Sequence, residues 1–321
     1  GEEFVYGEAY SITAQGADGN WFVVPILLFI GIGAMIDFGP LLADPRLFLC
    51  GAAAQAGIFL TVLLATVLGF DMKDAASIGI IGAADGPTSI LVSQVLGSSY
   101  VGAIAVAAYS YMAMVPIIQP AAIKLVTTQN ERAMAMPYAP GRVSRRLRIL
   151  FPILVTVVSG LVAPASVALV GFLMLGNLIR ESGVLPTLTR TAQNELANLI
   201  TLLLGVTISF SMRADQFVRV ETLMILCLGL VAFVLDTVVG VLFVKALNLF
   251  MPRRKINPMI GAAGISAFPM SARVIEKLGQ EADPRNHLLM QATGANVSGQ
   301  IASVVAGGVI LQYCAVHMIG G

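Results

Sequence analysis

Apolar residues along this chain fall into long blocks parted by short polar turns, without the strict alternation of a half-buried strand. The blocks run from about Trp21 to Leu42, Leu47 to Phe70, Ala75 to Gln94, Tyr100 to Val126, Ile149 to Ile179, Leu196 to Met212, Thr222 to Lys245 and Leu288 to Ile319. A helix of roughly 20 residues crosses the hydrocarbon core of a bilayer, and most of the blocks reach that length. Membrane β-barrels show shorter alternating segments. The pattern therefore predicts an all-α polytopic membrane protein. Ala75 to Gln94, and the stretch INPMIGAAGISAFPMSARV from Ile256, mix polar residues with glycine and proline and so predict broken helices. Ile149 to Ile179, with Pro152 and Pro164, reads as two short helices or one broken one.

Composition agrees: 57% of residues are hydrophobic and 12% charged, and a net charge of +1 gives no global pull toward nucleic acid. Charge orients the chain. The loop 127–148 holds Arg132, Arg142, Arg145, Arg146 and Arg148 and belongs in the cytoplasm by the positive-inside rule, as does PRRK at Pro252 to Lys255. Gly1 to Asn20 has Glu2, Glu3, Glu8 and Asp18 without Lys or Arg and reads as a non-cytoplasmic segment ahead of Trp21 at the interface. The divisions are 1–20, a first membrane repeat at 21–126, the basic loop at 127–148, connecting membrane segments at 149–195 and a second repeat at 196–321. The start has no basic n-region or signal peptide and reads as part of a longer chain. Cys50, Cys227 and Cys314 lack metal-ligand spacing and read as small core residues, and His287 and His317 lack it too.

Asp85 is the only Asp, Glu, Lys or Arg from Ala75 to Ile123. An ionisable group at membrane depth costs about 2.5–3.5 kcal/mol on insertion scales and marks an ion, a proton or a partner. Gly82, Gly86 and Pro87 break the helix around it, and broken helices free carbonyls and half-helix ends for cations. IIGAADGPTSILVSQVLG at Ile80 to Gly97 lies on MIGAAGISAFPMSARVIEKLG at Met259 to Gly279, and GIGAMIDF precedes the first copy as GVTISFSM precedes the second. An odd number of spans counted between the copies predicts two inverted repeats with broken helices meeting at the bilayer midplane, a transporter-like fold. Asp85 of one copy and Asn257 with Ser266 of the other then approach a common site.

Six ordered motifs, GIGAMIDFGPLLADPR, IGIIGAADGPTSI, GAIAVAAYSYMAMVPIIQP, GNLIRESGV, KINPMIGAAGISAFPMSARV and LLMQATGANVSGQIAS, together resemble the β subunit of the biotin-dependent sodium-pumping decarboxylases from about Val24 to Tyr313. The resemblance implies decarboxylation of carboxybiotin coupled to Na+ export from the cytoplasm with proton consumption, in a multi-pass subunit of the inner membrane. It implies a carboxyltransferase α subunit, a small membrane γ subunit, a biotin-carrier protein and a homo-oligomer in lipid as partners. The family's acidic residue falls on Asp85 and its functional tyrosine on Tyr111. Its further polar-helix residues fall on Asn257, Gly261, Ser266, Arg273 and Asn296. On this reading Asp85, Asn257, Gly261, Ser266 and Asn296 serve Na+, Arg273 docks carboxybiotin, and Asp85, Tyr111 and Arg273 carry the chemistry.

The chemistry suits these types. Na+ takes hard oxygen donors, and the planar fork of Arg273, seven residues after Ser266 and on its face if the helix is continuous, suits a carboxylate. A tyrosine can relay a proton. No lysine-centred AMKM carrier motif occurs, which places the biotin on another chain. Asp37 reads as a broken-helix group or a helix end, and Asp236 belongs to no motif. The rival reading is a Na+- or H+-coupled carboxylate transporter without chemistry; a passive channel or scaffold explains the spans but not the paired polar breaks.

Overall fold

The computed structural model describes residues 23–136, 143–211, 219–251 and 254–319. The polar start, Arg142, Met212, Pro252 and Arg253 lie outside the described residues. The first half is α1 (Val23–Met35), α2 (Gly39–Ala43), α3 (Leu47–Ala53), α4 (Ala56–Val67), α5 (Met72–Gly79), α6 (Gly86–Val95), α7 (Val101–Val126) and α8 (Gln129–Arg132). The second is α9 (Arg145–Val162), α10 (Val167–Ser182), α11 (Pro186–Thr191), α12 (Ala197–Ser211), α13 (Val220–Phe250), α14 (Met259–Ala262), α15 (Met270–Ala282) and α16 (Leu289–Ile319). No strand occurs among the described residues.

Among the described residues, five helices are long and apolar enough to cross a membrane: Leu47–Val67, Val101–Val126, Pro164–Ser182, Val220–Phe250 and Leu289–Val316. Their outer faces expose Leu63, Val67, Ile117, Leu125, Leu230 and Val231, as lipid contact requires. Cys227 is exposed on such a face and is not the core residue expected, whereas Cys50 and Cys314 are buried. The run from Ile149 to Ile179 does not cross once. A turn at Pro164–Ser166 reverses it into an antiparallel hairpin, in which Arg145 donates to Ser182 O, the Thr156 methyl lies beside Gly171 and the Val167 methyl lies beside Gly160.

Side chains from elsewhere in the fold cap carbonyls that the helix breaks free. Between α1 and α2, Ile36 O accepts from Asn177 and Arg180, and Ala34 O accepts from Gln193, which sits in a π-helical bulge at Ala192–Leu196. Asp37 is a helix end: Oδ1 accepts the Gly39 N–H at 2.8 Å, and Arg180 lies 3.9 Å from Oδ2.

The start of α16 is fixed from outside the helix. Glu276 of α15 accepts the N–H groups of Leu288 and Leu289 at 2.6 and 2.7 Å, with His287 Nδ1 at 2.9 Å. Burial raises its proton affinity, but the His287 and backbone hydrogen bonds outweigh this and leave it below the usual glutamate value of 4.5. A depressed carboxylate stabilises the fold above its unfolded value and loses that contribution as pH falls through the folded one. Glu276→Gln is expected to lower stability by about 1 kcal/mol at neutral pH and to remove part of the acid limb below about pH 4.5, read by melting against pH. An unchanged acid limb would show that the cap does not act through its charge.

Candidate functional site

Both broken segments run as helix, break, helix, and the breaks touch. In the first, α5 passes into a 3-10 turn at Ile80–Ala83, and Ala84 adopts the left-handed conformation at φ 51° just before Asp85. This is the strained residue of the segment. Gly82 and Gly86 lie at this break, as expected, with no positive φ; there they make room. A Cβ at Gly82 would lie 2.9 Å from Asp236 Oδ2, and one at Gly86 would lie 2.7 Å from the Tyr109 ring. In the second copy residues 263–269 separate α14 from α15, and Ser266 donates both its N–H (3.1 Å) and its hydroxyl (2.9 Å) to Ala83 O.

Asp85 is buried and caps α6, accepting the Thr88 N–H through Oδ1 at 3.3 Å. Its Oδ2 accepts from Thr88 Oγ1 at 2.7 Å and from Gln300 Nε2 and Ser303 Oγ at 2.9 Å each. Asn296, Gln300 and Ser303 lie at i, i+4 and i+7 on α16, so one stripe of that helix faces both breaks. Asn296 donates to Ile265 O at 2.6 Å, while its Oδ1 is buried without a partner. Gln300 and Ser303 were not singled out from the sequence; their spacing from Asn296 was the available signal. The freed carbonyls of the second break are capped rather than left open: Ala262 O by Gln119 and Ser271, Gly264 O by Gln55, and Ile265 O by Asn296.

The structure separates other residues that the sequence reading had grouped. The Asn257 carboxamide donates to Arg132 O and Met134 O and accepts the Met259 N–H, so its hydrogen bonds serve the segment after α8 and not Asp85. Gly261 packs against Gly240 of α13. Tyr111 donates to Leu226 O and packs on Gly229, so Tyr109 is the tyrosine whose ring faces the Asp85 break. Arg273 and Ser266 do not share a helical face, because Ser266 lies in the break and α15 begins at Met270. Arg273 is exposed and lines a cavity of about 340 Å³ with Lys124, Lys277, Glu281, Pro116 and Pro120.

These oxygens make a hard donor set around one carboxylate at the junction of two broken helices, which suits a small monovalent cation. A profile of the Na+-transporting oxaloacetate decarboxylase beta subunit matches residues 9–314. The chain belongs to this family. Its match therefore reaches back beyond Val24 into the polar start. The oxaloacetate decarboxylase beta chain of Klebsiella pneumoniae is 50% identical over 297 residues, 91% of this chain and 68% of the relative. The methylmalonyl-CoA decarboxylase subunit beta of Propionigenium modestum is 52% identical over 291 residues, 90% and 73% of the two chains. The glutaconyl-CoA decarboxylase subunit beta of Acidaminococcus fermentans is 48% identical over 299 residues, 93% and 78%. As a decarboxylase beta subunit with five apolar spans among the described residues, this is a multi-pass membrane protein.

Proposed function

We propose that this decarboxylase beta subunit removes CO2 from carboxybiotin on the cytoplasmic face of the inner membrane and uses the free energy to export Na+ while a proton is consumed. One observation carries the reading: Asp85 lies at the contact of two broken helices, held by Gln300 and Ser303 of a helix stripe whose next polar residue, Asn296, has a buried oxygen without a hydrogen-bond partner. A buried acceptor without a donor on the same stripe as the residues that hold a carboxylate suits a cation. Asp85, Asn296, Gln300 and Ser303 would hold Na+. Ser266 ties the second break to the first through Ala83 O and acts as a positioning residue. Asn257 and Gly261 support the site by fixing the helices around it, and Tyr111 does so through Leu226 O.

The cavity at Arg273 suits an anionic carboxyl group, since Arg273, Lys124 and Lys277 outnumber Glu281 around it. It lies beside the end of α7 that leads into the basic loop, hence on the cytoplasmic side. Carboxybiotin, when docked, supplies the carboxyl group whose release is the exergonic step. The Arg273 fork orients that group, and its loss removes an anion that the cavity had favoured, which shifts the balance between two accessibility states. Asp85 takes the proton that displaces Na+ toward the outside.

In this reading 21–126 and 196–321 are inverted repeats joined by a basic cytoplasmic loop at 127–148 and the segments at 149–195. Five long helices, α7, α9, α10, the α11–α12 rod and α13, separate the two broken copies, and an odd number of crossings gives them opposite orientation. A carboxyltransferase α subunit, a small γ subunit, a biotin-carrier protein and a second copy complete the complex. Membership in a decarboxylase family favours this over a carboxylate carrier without chemistry, and co-purification with a biotinylated protein separates the two. Arg273→Lys keeps the charge and loses the fork, so KM for carboxybiotin should rise about tenfold while half-saturation by Na+ stays unchanged. An unchanged KM would overturn the docking role.

A further inference from the structure

Glu276 stands between the cavity and the Asp85 cluster. Arg273, Lys277 and Glu281 of α15 line the cavity, whereas Glu276 and Gln280, one turn apart on the neighbouring stripe, face the start of α16. The Glu276 carboxylate makes four contacts there. Its Oε2 accepts the Leu288 and Leu289 N–H groups at 2.6 and 2.7 Å, and its Oε1 accepts from Gln280 Nε2 at 2.7 Å, with His287 Nδ1 at 2.9 Å. The turn between the helices is packed on α15 too: a Cβ on Gly279 would lie 3.1 Å from Leu288 Cδ1 and 3.2 Å from Asn286 O.

Helix α16 runs unbroken from Leu289 to Ile319 and holds no proline. Asn296 and Ser303 follow Leu289 by one and two heptads, so the residue held by Glu276 shares a stripe with Ser303, which holds Asp85. At a rise of 1.5 Å per residue, Ser303 lies about 21 Å along the axis from Leu289. A continuous helix carries a shift at its start along its length, and rigid elements of this kind can couple distant sites. At the cavity, Lys124 of α7 pairs with Glu281 of α15 at 3.2 Å. An anion beside Arg273 and Lys277 changes the charge balance that sets α15 against α7.

Resting on the reading of Arg273 and Asp85 given above, we propose that Glu276 is a positioning residue that couples the two sites. When α15 shifts as the carboxyl group leaves the cavity, Glu276 draws α16 with it, and Gln300 and Ser303 move relative to Asp85. This requires the reach of the side chain rather than its charge.

The test is the Na+ taken up per CO2 released by inside-out vesicles that hold the reconstituted complex and are supplied with carboxylated biotin-carrier protein. Glu276→Asp keeps the charge but is one methylene too short to span both N–H contacts, and its ratio should fall to about a third of wild type or less. Glu276→Gln loses the charge and keeps an oxygen at full reach, so it should retain at least about half the ratio although it is expected to be the less stable protein. The ratio does not depend on how much protein is folded, since an unfolded subunit performs neither step. A wild-type ratio in Glu276→Asp overturns the proposal. So does a ratio in Glu276→Gln as low as that in Glu276→Asp, which would assign the effect to charge. Failure of the underlying reading looks different: wild-type vesicles would release CO2 without Na+ uptake, or Arg273→Lys would leave KM for carboxybiotin unchanged. Either result leaves Glu276 nothing to couple and overturns the proposal as well.

Discussion

Asp85→Asn is expected to abolish Na+-dependent decarboxylation by the reconstituted complex while leaving the subunit folded. The carboxylate oxygen Oδ2 collects three side-chain donors, from Thr88, Gln300 and Ser303. Hydrogen bonds to a charged group contribute about 1.5–3 kcal/mol each. Asparagine keeps one acceptor for the Thr88 N–H and sets an NH2 group against donors. It also removes the one full negative charge that an incoming Na+ meets. A loss of about 3 kcal/mol in Na+ affinity corresponds to roughly a hundredfold in half-saturation. Two measurements check it: the Na+ dependence of CO2 release, and the melting temperature in NaCl against choline chloride. Wild type should melt higher in NaCl and the variant should not. Near-normal Na+-dependent turnover would remove Asp85 from the centre of the mechanism.

That residue was legible because a lone charge in an apolar tract is costly wherever it lies. Its ligand neighbours were less so. Gln300 and Ser303 lie in a 31-residue helix rich in small residues, where serine and glutamine look like ordinary interhelical packing. Only their spacing from Asn296 on a face turned toward the Asp85 break separates them from that background. The repetition of the two broken segments was visible as IGAA with a proline and serine, but not the contact between them, since Ser266 and Ala83 are 183 residues apart in sequence. The flanking match to GVTISFSM ends at Met212, outside the described residues.

Misplacements have a common cause. Asn257 was assigned to the ion because polar residues in broken helices suit cations; in the fold its carboxamide is taken up by backbone groups near α8. The carbonyls expected to face a cation are mostly capped by Gln119, Gln55 and Asn296, carboxamides that come from other parts of the chain. Composition shows that a break frees carbonyls, but which distant side chain closes it depends on tertiary packing. The hairpin at Pro164 was ambiguous for a related reason: a reversal inside an apolar run leaves no polar punctuation when both arms face lipid. Asp236 was seen as an acid without a role because its donor, Gly57, lies 179 residues away.

Gly261→Ala is expected to destabilise the subunit, and this separates a packing role from an ion-binding one. Gly261 of α14 and Gly240 of α13 face each other, and a Cβ on either would fall inside the van der Waals radius of the other's carbonyl oxygen. The same Cβ on Gly261 would also lie 2.8 Å from Val244 Cγ2. Side-chain tips can yield to an added methyl, but backbone on a 31-residue helix cannot without moving the helix. Overpacking costs about 1–3 kcal/mol where rotamers absorb it, and a backbone collision belongs at the upper end. For a chain of this size the melting temperature should fall by on the order of 5 °C or more. Protein that remains folded should keep its Na+ half-saturation within about twofold, since Gly261 contributes no side chain to the Asp85 cluster. A variant of wild-type stability with weakened Na+ binding would reverse the assignment, and would place the Gly261 carbonyl at the ion although it now accepts the Gly264 N–H at 3.1 Å.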